Sequence, residues 1–247
     1  MLVDTHCHIH ESNYPHDPAD TLHRAHEAGV SEVIVVGTSE QSSEEAISFA
    51  HQHEHVYASV GVHPHDTKDG YEAIFMSDPR EFIAVGEIGL DYFYTHSPKE
   101  LQQRALVDQL QFAVDHNKPV IFHVREAFAD FWPIFDSFSS IRGVLHSFTD
   151  TTQNLEEALH RGLYIGVNGI STFTKDTSQQ EMFDRIPLER ILFETDAPFL
   201  TPKPFRGSIN EPAFVRIVAQ FHADRRDLTL EELAATSSAN ARELFAF

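Results

Sequence analysis

Residues 2–37 read LVDTHCHIHESNYPHDPADTLHRAHEAGVSEVIVVG, and the order of patterns inside this stretch decides the fold class. Residues 2–9 form a short apolar, β-branched run with the length of a buried strand. Residues 17–28 have helical character, and Gly29 stands where a helix C-cap is expected. Residues 32–37 are a second β-branched run. Strand, helix, strand is the unit of parallel sheets joined by right-handed crossovers.

The alternation continues outward from this unit. Further strand-like runs at 56–62, 82–88, 119–124, 143–148, 163–167 and 191–194 bring the number to eight. Helical segments are expected at 39–53, 99–116, 127–138, 151–161, 179–185, 211–222 and 229–245. In 99–116, Leu101, Ala105, Leu106, Leu110 and Ala113 make an apolar stripe on one helical face, and 229–245 opens on the capping box Thr229-Leu-Glu-Glu232. Eight such units in 247 residues predict a closed (β/α)8 TIM barrel rather than an open doubly wound sheet. The expected organisation is one domain over 1–247, with the active site at the C-terminal ends of the strands.

The net charge is −20, from 18 basic and 38 acidic residues, and there are 17 histidines. Such acidity opposes non-specific adhesion to nucleic acid, yet leaves room for a locally positive cleft, above all one that holds metal ions. A single cysteine excludes an internal disulfide and points to a reducing compartment. The N-terminus lacks the pattern of a signal peptide, and no apolar run approaches the roughly 20 residues that span a bilayer. The expectation is a cytoplasmic protein with no membrane association and no obligate protein partner.

The chemistry gathers at strand ends. His6 and His8 close the first run; residues two apart in a strand point the same way, so both imidazoles can face the barrel axis while Cys7 points into the helix layer. Alone, this pair can also be two polar residues finishing a strand. Its neighbours give it meaning: Glu87 ends the fourth run, His123 the fifth and His146 the sixth, and Asp196 follows the eighth. Four histidines and two carboxylates on the catalytic face of a barrel suit a two-metal site of divalent cations: zinc, manganese, cobalt or magnesium. Glu87 is placed to bridge two cations, and Asp196 to hold a metal while accepting a proton from the attacking water.

Other residues share this rim. His63, in Gly61-Val-His-Pro-His65, suits substrate or leaving-group contact, or a structural turn. Arg125, two past His123, suits bidentate contact to a phosphate, or an ion pair with Glu126 or Asp130. In the 89–94 loop, the aromatic residues suit base stacking or packing of the loop on the barrel. Trp132, spaced with Phe128, Phe131 and Phe135, reads as core. Cys7 has no evident base and reads as a small buried residue. His16, His23, His26, His51, His53, His55, His116, His160 and His222 read as solvated surface.

The chain closely resembles the TatD family of metal-dependent deoxyribonucleases, within the amidohydrolase superfamily. The matching pieces are DTHCHI from Asp4, GVHP from Gly61, GEIGLDY from Gly86, PVIFHVRE from Pro119, LHSF from Leu145, ETDAPFLTP from Glu194 and the RGxxNEP pattern from Arg206; Thr236, Asn240 and Phe245 fit the last helix. The resemblance implies a barrel that binds two divalent cations through the six residues above, and 3'-5' exonuclease-like hydrolysis of DNA ends or single-stranded DNA. It also places His63, Arg125, Arg206, Asn210 and Glu211 in motifs that bind substrate. Ser208 and Ile209, Val124 and Asp150 depart from the pattern, each in the direction of less positive charge near the mouth. Two other readings are a hydrolase of a small amide, ester or lactone that uses the same metal–water chemistry, and a non-catalytic metal-binding protein.

Overall fold

A computed structural model describes residues 1–94 and 96–247. Among the described residues there are eight strands, in the sheet order β1 to β8: β1 (Leu2–Cys7), β2 (Val30–Val36), β3 (Val56–Val60), β4 (Ala84–Asp91), β5 (Val120–Arg125), β6 (Gly143–Leu145), β7 (Tyr164–Val167) and β8 (Ile191–Phe193). The helices are α1 (Pro18–Glu27), α2 (Glu40–Gln52), α3 (Lys99–Asp115), α4 (Phe128–Asp136), α5 (Thr152–His160), α6 (Ile170–Phe173), α7 (Thr177–Asp184), α8 (Val215–Arg225) and α9 (Leu230–Phe245). Strands alternate with helices in the (β/α)8 arrangement of a TIM barrel. No helix among the described residues is long and apolar enough to cross a membrane.

Two compact units can be distinguished: Met1–Val35 with Ser147–Ala246, and Val36–His146 with Phe247. In the first, β1 pairs with β2 and β7 with β8, all parallel. The ends of β1 and β8 are joined by a parallel bridge of Cys7 with Ala197. Around this bridge the His8 N–H donates to the Ala197 carbonyl at 2.7 Å and the Asp196 N–H to the His6 carbonyl at 2.8 Å. Buried Asp4 strengthens the seam by accepting the Thr195 N–H at 2.8 Å and the Thr195 hydroxyl at 2.6 Å. Against those hydrogen bonds, burial pushes the Asp4 carboxyl up to about 8.

Local chemistry sets the element ends. Asp17, Ser39, Thr151, Asp176 and Thr229 cap α1, α2, α5, α7 and α9 through their side chains, and Thr229 with Glu232 completes the capping box, satisfying donors that would otherwise be unpaired. Gly29 lies at φ +83, the left-handed geometry that closes α1 and aims the chain into β2. The segment expected as one helix over 211–222 divides into a 3-10 turn, Pro212–Phe214, and α8. Pro212 has no N–H to give to a regular ladder.

In the second unit β3, β4, β5 and β6 pair in parallel. β4 runs three residues past its expected end, with Gly89 opposite His123, Leu90 opposite Val124 and Asp91 opposite Arg125. Gly89 permits this: a Cβ there would lie 1.8 Å from the His123 carbonyl oxygen. The β3–β4 connection carries 3-10 turns at Thr67–Asp69 and Glu72–Met76 in place of an α-helix, and Val62, Tyr71, Ile74 and Ala105 form the core beneath it. Phe122 of β5 packs on Phe131 and Phe135 of α4, and Trp132 lies 5.2 Å from Phe128 and 5.0 Å from Phe131, so this set is packing, as its spacing suggests.

Cys7 is fully buried and its thiol donates to the Ile34 carbonyl at 3.5 Å. Burial pushes it well above an ordinary thiol, so it is no nucleophile at neutral pH. One expectation fails: His222 is not surface. It is fully buried in α8, facing Phe183, Phe193 and Phe221.

Candidate metal centre

In the first unit the donors sit on either side of the β1–β8 seam. His6 and His8 are buried, with their Nε2 atoms 3.2 Å apart. Asp196 Oδ1 lies 3.8 Å from His6 Nε2 and 3.4 Å from His8 Nε2. Asp196 follows β8 at φ +59, a left-handed conformation that Asp tolerates. Its N–H is held by His6, and its carbonyl accepts the Phe199 N–H at 2.8 Å. Nitrogens of two imidazoles on one tetrahedral zinc, at Zn–N of about 2.0–2.1 Å, lie roughly 3.3 Å apart. The 3.2 Å separation therefore fits shared ligation of one cation.

In the second unit, three imidazoles face one carboxylate oxygen. Glu87 Oε1 lies 2.9 Å from His123 Nδ1, 3.1 Å from His146 Nε2 and 3.6 Å from His63 Nε2. His63, Glu87 and His123 bring one donor atom each within 4.8 Å of one another. The other nitrogen of His123, Nε2, lies 3.0 Å from Asp91 Oδ2. A neutral imidazole has one ring proton, which cannot serve Glu87 and Asp91 at once. If that proton is on Nε2, donating to Asp91, the Nδ1 lone pair faces Glu87 and a cation belongs between them. Burial disfavours the imidazolium, but the hydrogen bonds to Asp91 and Glu87 outweigh it and raise the pKa of His123, so the place between Nδ1 and Glu87 calls for positive charge, which a second ring proton or a cation supplies. The donor set fits a metal.

Asp91 holds this arrangement in place and is missing from the residues the sequence singled out for chemistry. It is 1% exposed. Oδ1 accepts the backbone N–H groups of Phe93 and Tyr94 at 3.0 and 2.9 Å, and Oδ2 accepts His123 and also His65 Nε2 at 2.9 Å. Burial would raise its pKa, but the hydrogen bonds from His123, His65 and Tyr94 hold it well below the usual carboxylate range. A carboxylate that fixes the ring of a ligand histidine is a familiar partner of metal sites.

The remaining rim residues take different positions. His63 Nδ1 accepts the His65 N–H at 3.2 Å, so the proton of the neutral ring is on Nε2. Burial, then the neighbouring His123, keeps His63 well below its ordinary pKa, and the ring is a neutral donor. The Arg125 guanidinium lies 4.0 Å over the Phe93 ring and 5.0 Å over Tyr94. Arg206 lies 3.9 Å over Phe173 and donates to the Thr201 carbonyl at 2.9 Å. Asn210 is buried; its amide donates to the carbonyls of Thr195 and Phe199 at 2.8 and 2.5 Å. Glu211 accepts Arg24 Nε at 2.9 and 3.1 Å.

The sequence matches the family described as TatD related DNase over residues 3–246. The chain belongs to that family. The metal-dependent hydrolase YabD of Bacillus subtilis is 34% identical over 252 residues, covering 99% of both chains. A protein named 3'-5' ssDNA/RNA exonuclease TatD, from Citrobacter rodentium, is 33% identical over 256 residues, covering 99% of this chain and 97% of its own. The crystal structure of the TatD homolog YjjV of Escherichia coli K12 superposes with a TM-score of 0.92 at 29% identity, covering 100% of this chain and 98% of that one. This TatD-family chain is a metal-dependent hydrolase on a TIM barrel, with His, Glu and Asp clusters able to hold metal.

Proposed function

We propose that the chain is a cytoplasmic 3'-5' exonuclease acting on single-stranded DNA or on DNA ends, with two divalent cations held by His6, His8, Glu87, His123, His146 and Asp196. The observation that carries this reading is the donor chemistry: imidazole pairs and carboxylates at the C-terminal ends of the strands, where barrels of this kind build their sites. The relatives named 3'-5' ssDNA/RNA exonuclease support phosphodiesters as the bonds cleaved.

When bound, divalent cations supply Lewis-acid polarisation of a phosphoryl oxygen and a more acidic water. The mixed imidazole and carboxylate ligands suit zinc, manganese or cobalt, with magnesium where oxygen donors dominate. Asp196, partly accessible at its carboxylate, accepts the proton of the attacking water, with Glu87 as the other catalytic carboxylate. His63, a neutral donor through Nε2, hydrogen-bonds a phosphate or leaving-group oxygen. Arg125 and Arg206 neutralise phosphate charge. Asn210 and Glu211 serve binding through the loop they brace.

The test is the product pattern from single-stranded oligonucleotides labelled at the 3' or the 5' end. The expected result is stepwise release from the 3' end, lost on chelation and restored by divalent metal. Asp196→Asn should slow the reaction roughly 10²–10⁴-fold, the range for removal of a positioned general base. Wild-type rates in Asp196→Asn would overturn the assigned role, and release from the 5' end would overturn the polarity.

A further inference from the structure

The chain has 20 Phe, six Tyr and one Trp. Among the described residues only four of these are exposed: Phe93 at 49%, Tyr94 at 42%, Phe199 at 58% and Phe205 at 46%. All four lie in two loops, the one that leaves β4 and the one that leaves β8. Those strands deliver Glu87, Asp91 and Asp196. The other exposed apolar residues, Met1, Met76, Val107 and Val114, are small or flexible and scattered, as on any surface.

Packing engages Phe205, stacked on Phe214 at 5.0 Å, and Tyr94, stacked on His96 at 5.7 Å; Phe199 and Phe93 have no such stacked partner ring among the described residues. Phe199 has its backbone clamped from both sides: its N–H donates to Asp196 at 2.8 Å and its carbonyl accepts Asn210 at 2.5 Å. Leu200 beside it is held at φ +53, a strained conformation for a branched residue that persists only where the surroundings impose it. A rigid backbone thus presents an open ring, its centroid 6.5 Å from the His8 imidazole. Phe93 is likewise fixed, its N–H held by Asp91 at 3.0 Å, with the Arg125 guanidinium 4.0 Å over its ring. Apolar area beside a cation is what a nucleotide needs: a π-face for the base and a charge for the phosphate.

We propose that Phe199 and Phe93 are stacking platforms for unpaired bases of the nucleic-acid substrate. This rests on the exonuclease reading and adds the source of affinity. A protein of net charge −20 repels a polyanion at long range, so it cannot gain its binding from a diffuse basic surface in the manner of most nucleic-acid proteins. Stacking supplies affinity without charge, is available from every base, and selects strands whose bases are not already stacked in a duplex.

The experiment compares metal-loaded wild type, Phe199→Ala and Phe93→Ala on a single-stranded oligonucleotide and on bis(2,2,2-trifluoroethyl) phosphate, a small diester with neither a base nor an aromatic ring, its hydrolysis followed by fluorine NMR. In each Ala variant the ratio of kcat/KM for the oligonucleotide to that for the small diester should fall roughly 5- to 150-fold, the span of one base–aromatic stack. Trp at either position should restore it. For wild type, abasic residues at the 3' end of the oligonucleotide should cause a similar loss, with little further loss in Phe199→Ala. Equal losses on both substrates, an unchanged ratio, or fully additive losses with the abasic strand would overturn the proposal. Wild type that hydrolyses the small diester but leaves every oligonucleotide intact would instead overturn the exonuclease reading.

Discussion

His222 offers a measurement in which burial alone sets the outcome. The imidazole lies in α8 against Phe183, Phe193 and Phe221, and neither ring nitrogen has a hydrogen-bond partner among the described residues. Burial first, then the Arg226 charge, lowers its pKa from 6.5 to about 3. The folded state therefore refuses a proton that the unfolded chain accepts. Above pH 6.5 both states hold a neutral ring and pH has no leverage; below it the unfolded state gains protons and stability falls as pH falls. The slope approaches 1.36 kcal/mol per pH unit. That is about 2 kcal/mol lost by pH 5, and about 5 kcal/mol by pH 3 if the fold survives so far. His222→Leu, of similar volume, removes this loss and the neutral ring's unmet hydrogen bonds, which cost about 1–3 kcal/mol. Urea unfolding of both proteins at pH 7, 6 and 5 should show the variant at least as stable at pH 7, with its advantage growing by about 2 kcal/mol by pH 5. For a chain of this length that growth is about 4–8 °C in Tm. Parallel pH dependences for the two proteins would show that His222 is solvated or paired when folded, and would refute the reasoning.

Three other outcomes follow from the site. Asp91→Asn removes the carboxylate that orients His123, and the affinity for zinc, measured by competition with a chelator, should fall roughly 10- to 100-fold; unaltered affinity would show the contact to be incidental. Gly89→Ala must displace the His123 carbonyl, so urea unfolding should report a loss above about 3 kcal/mol, the range of severe steric mutations; a loss under about 1 kcal/mol would show that β4 and β5 part freely. Raising ionic strength from about 0.01 to 0.15 M cuts the Debye length from about 30 to 8 Å and so relieves repulsion between an acidic protein and a polyanion. The kcat/KM for oligonucleotides should rise over that interval, and a fall would place a basic binding surface on the chain.

The fold is legible because barrel strands are buried on both faces, so short apolar runs such as 119–124, recurring between amphipathic segments, stand out as strands. The ligands are legible for a related reason: a polar residue that ends an apolar run, as Glu87 or His146 does, stands out against its neighbours. Asp91 is hidden because the Gly-Leu-Asp that carries β4 onward looks like a turn; only the close approach of Gly89 to His123 makes it a strand. His65 is hidden with it, its partner being 26 residues away. For His222 the signal exists: Val215, Val218, Ala219, His222 and Ala223 share one helical stripe, and a histidine inside such a stripe is buried. Asn210 and Glu211 sit in a matching motif, but spacing does not reveal that Asn210 grips the backbone beneath Phe199 or that Glu211 grips Arg24.

The seam between β1 and β8 also governs how the molecule comes to exist. The Thr5 hydroxyl bonds to Phe193 and Asp4 to Thr195 across 188 and 191 positions of sequence. At a synthesis rate of about 5–20 residues per second, β1 leaves the ribosome roughly 10–40 s before the segment that completes it. For that interval the first two histidines exist without Asp196, on a strand with an open edge that invites other chains. Closure across so long a loop is slow, so a full set of ligands forms among the last events of folding. The final quarter of the chain acts as the licence for activity, and a truncated product ending before Ile191 carries His6 and His8 but lacks the strand that orders them.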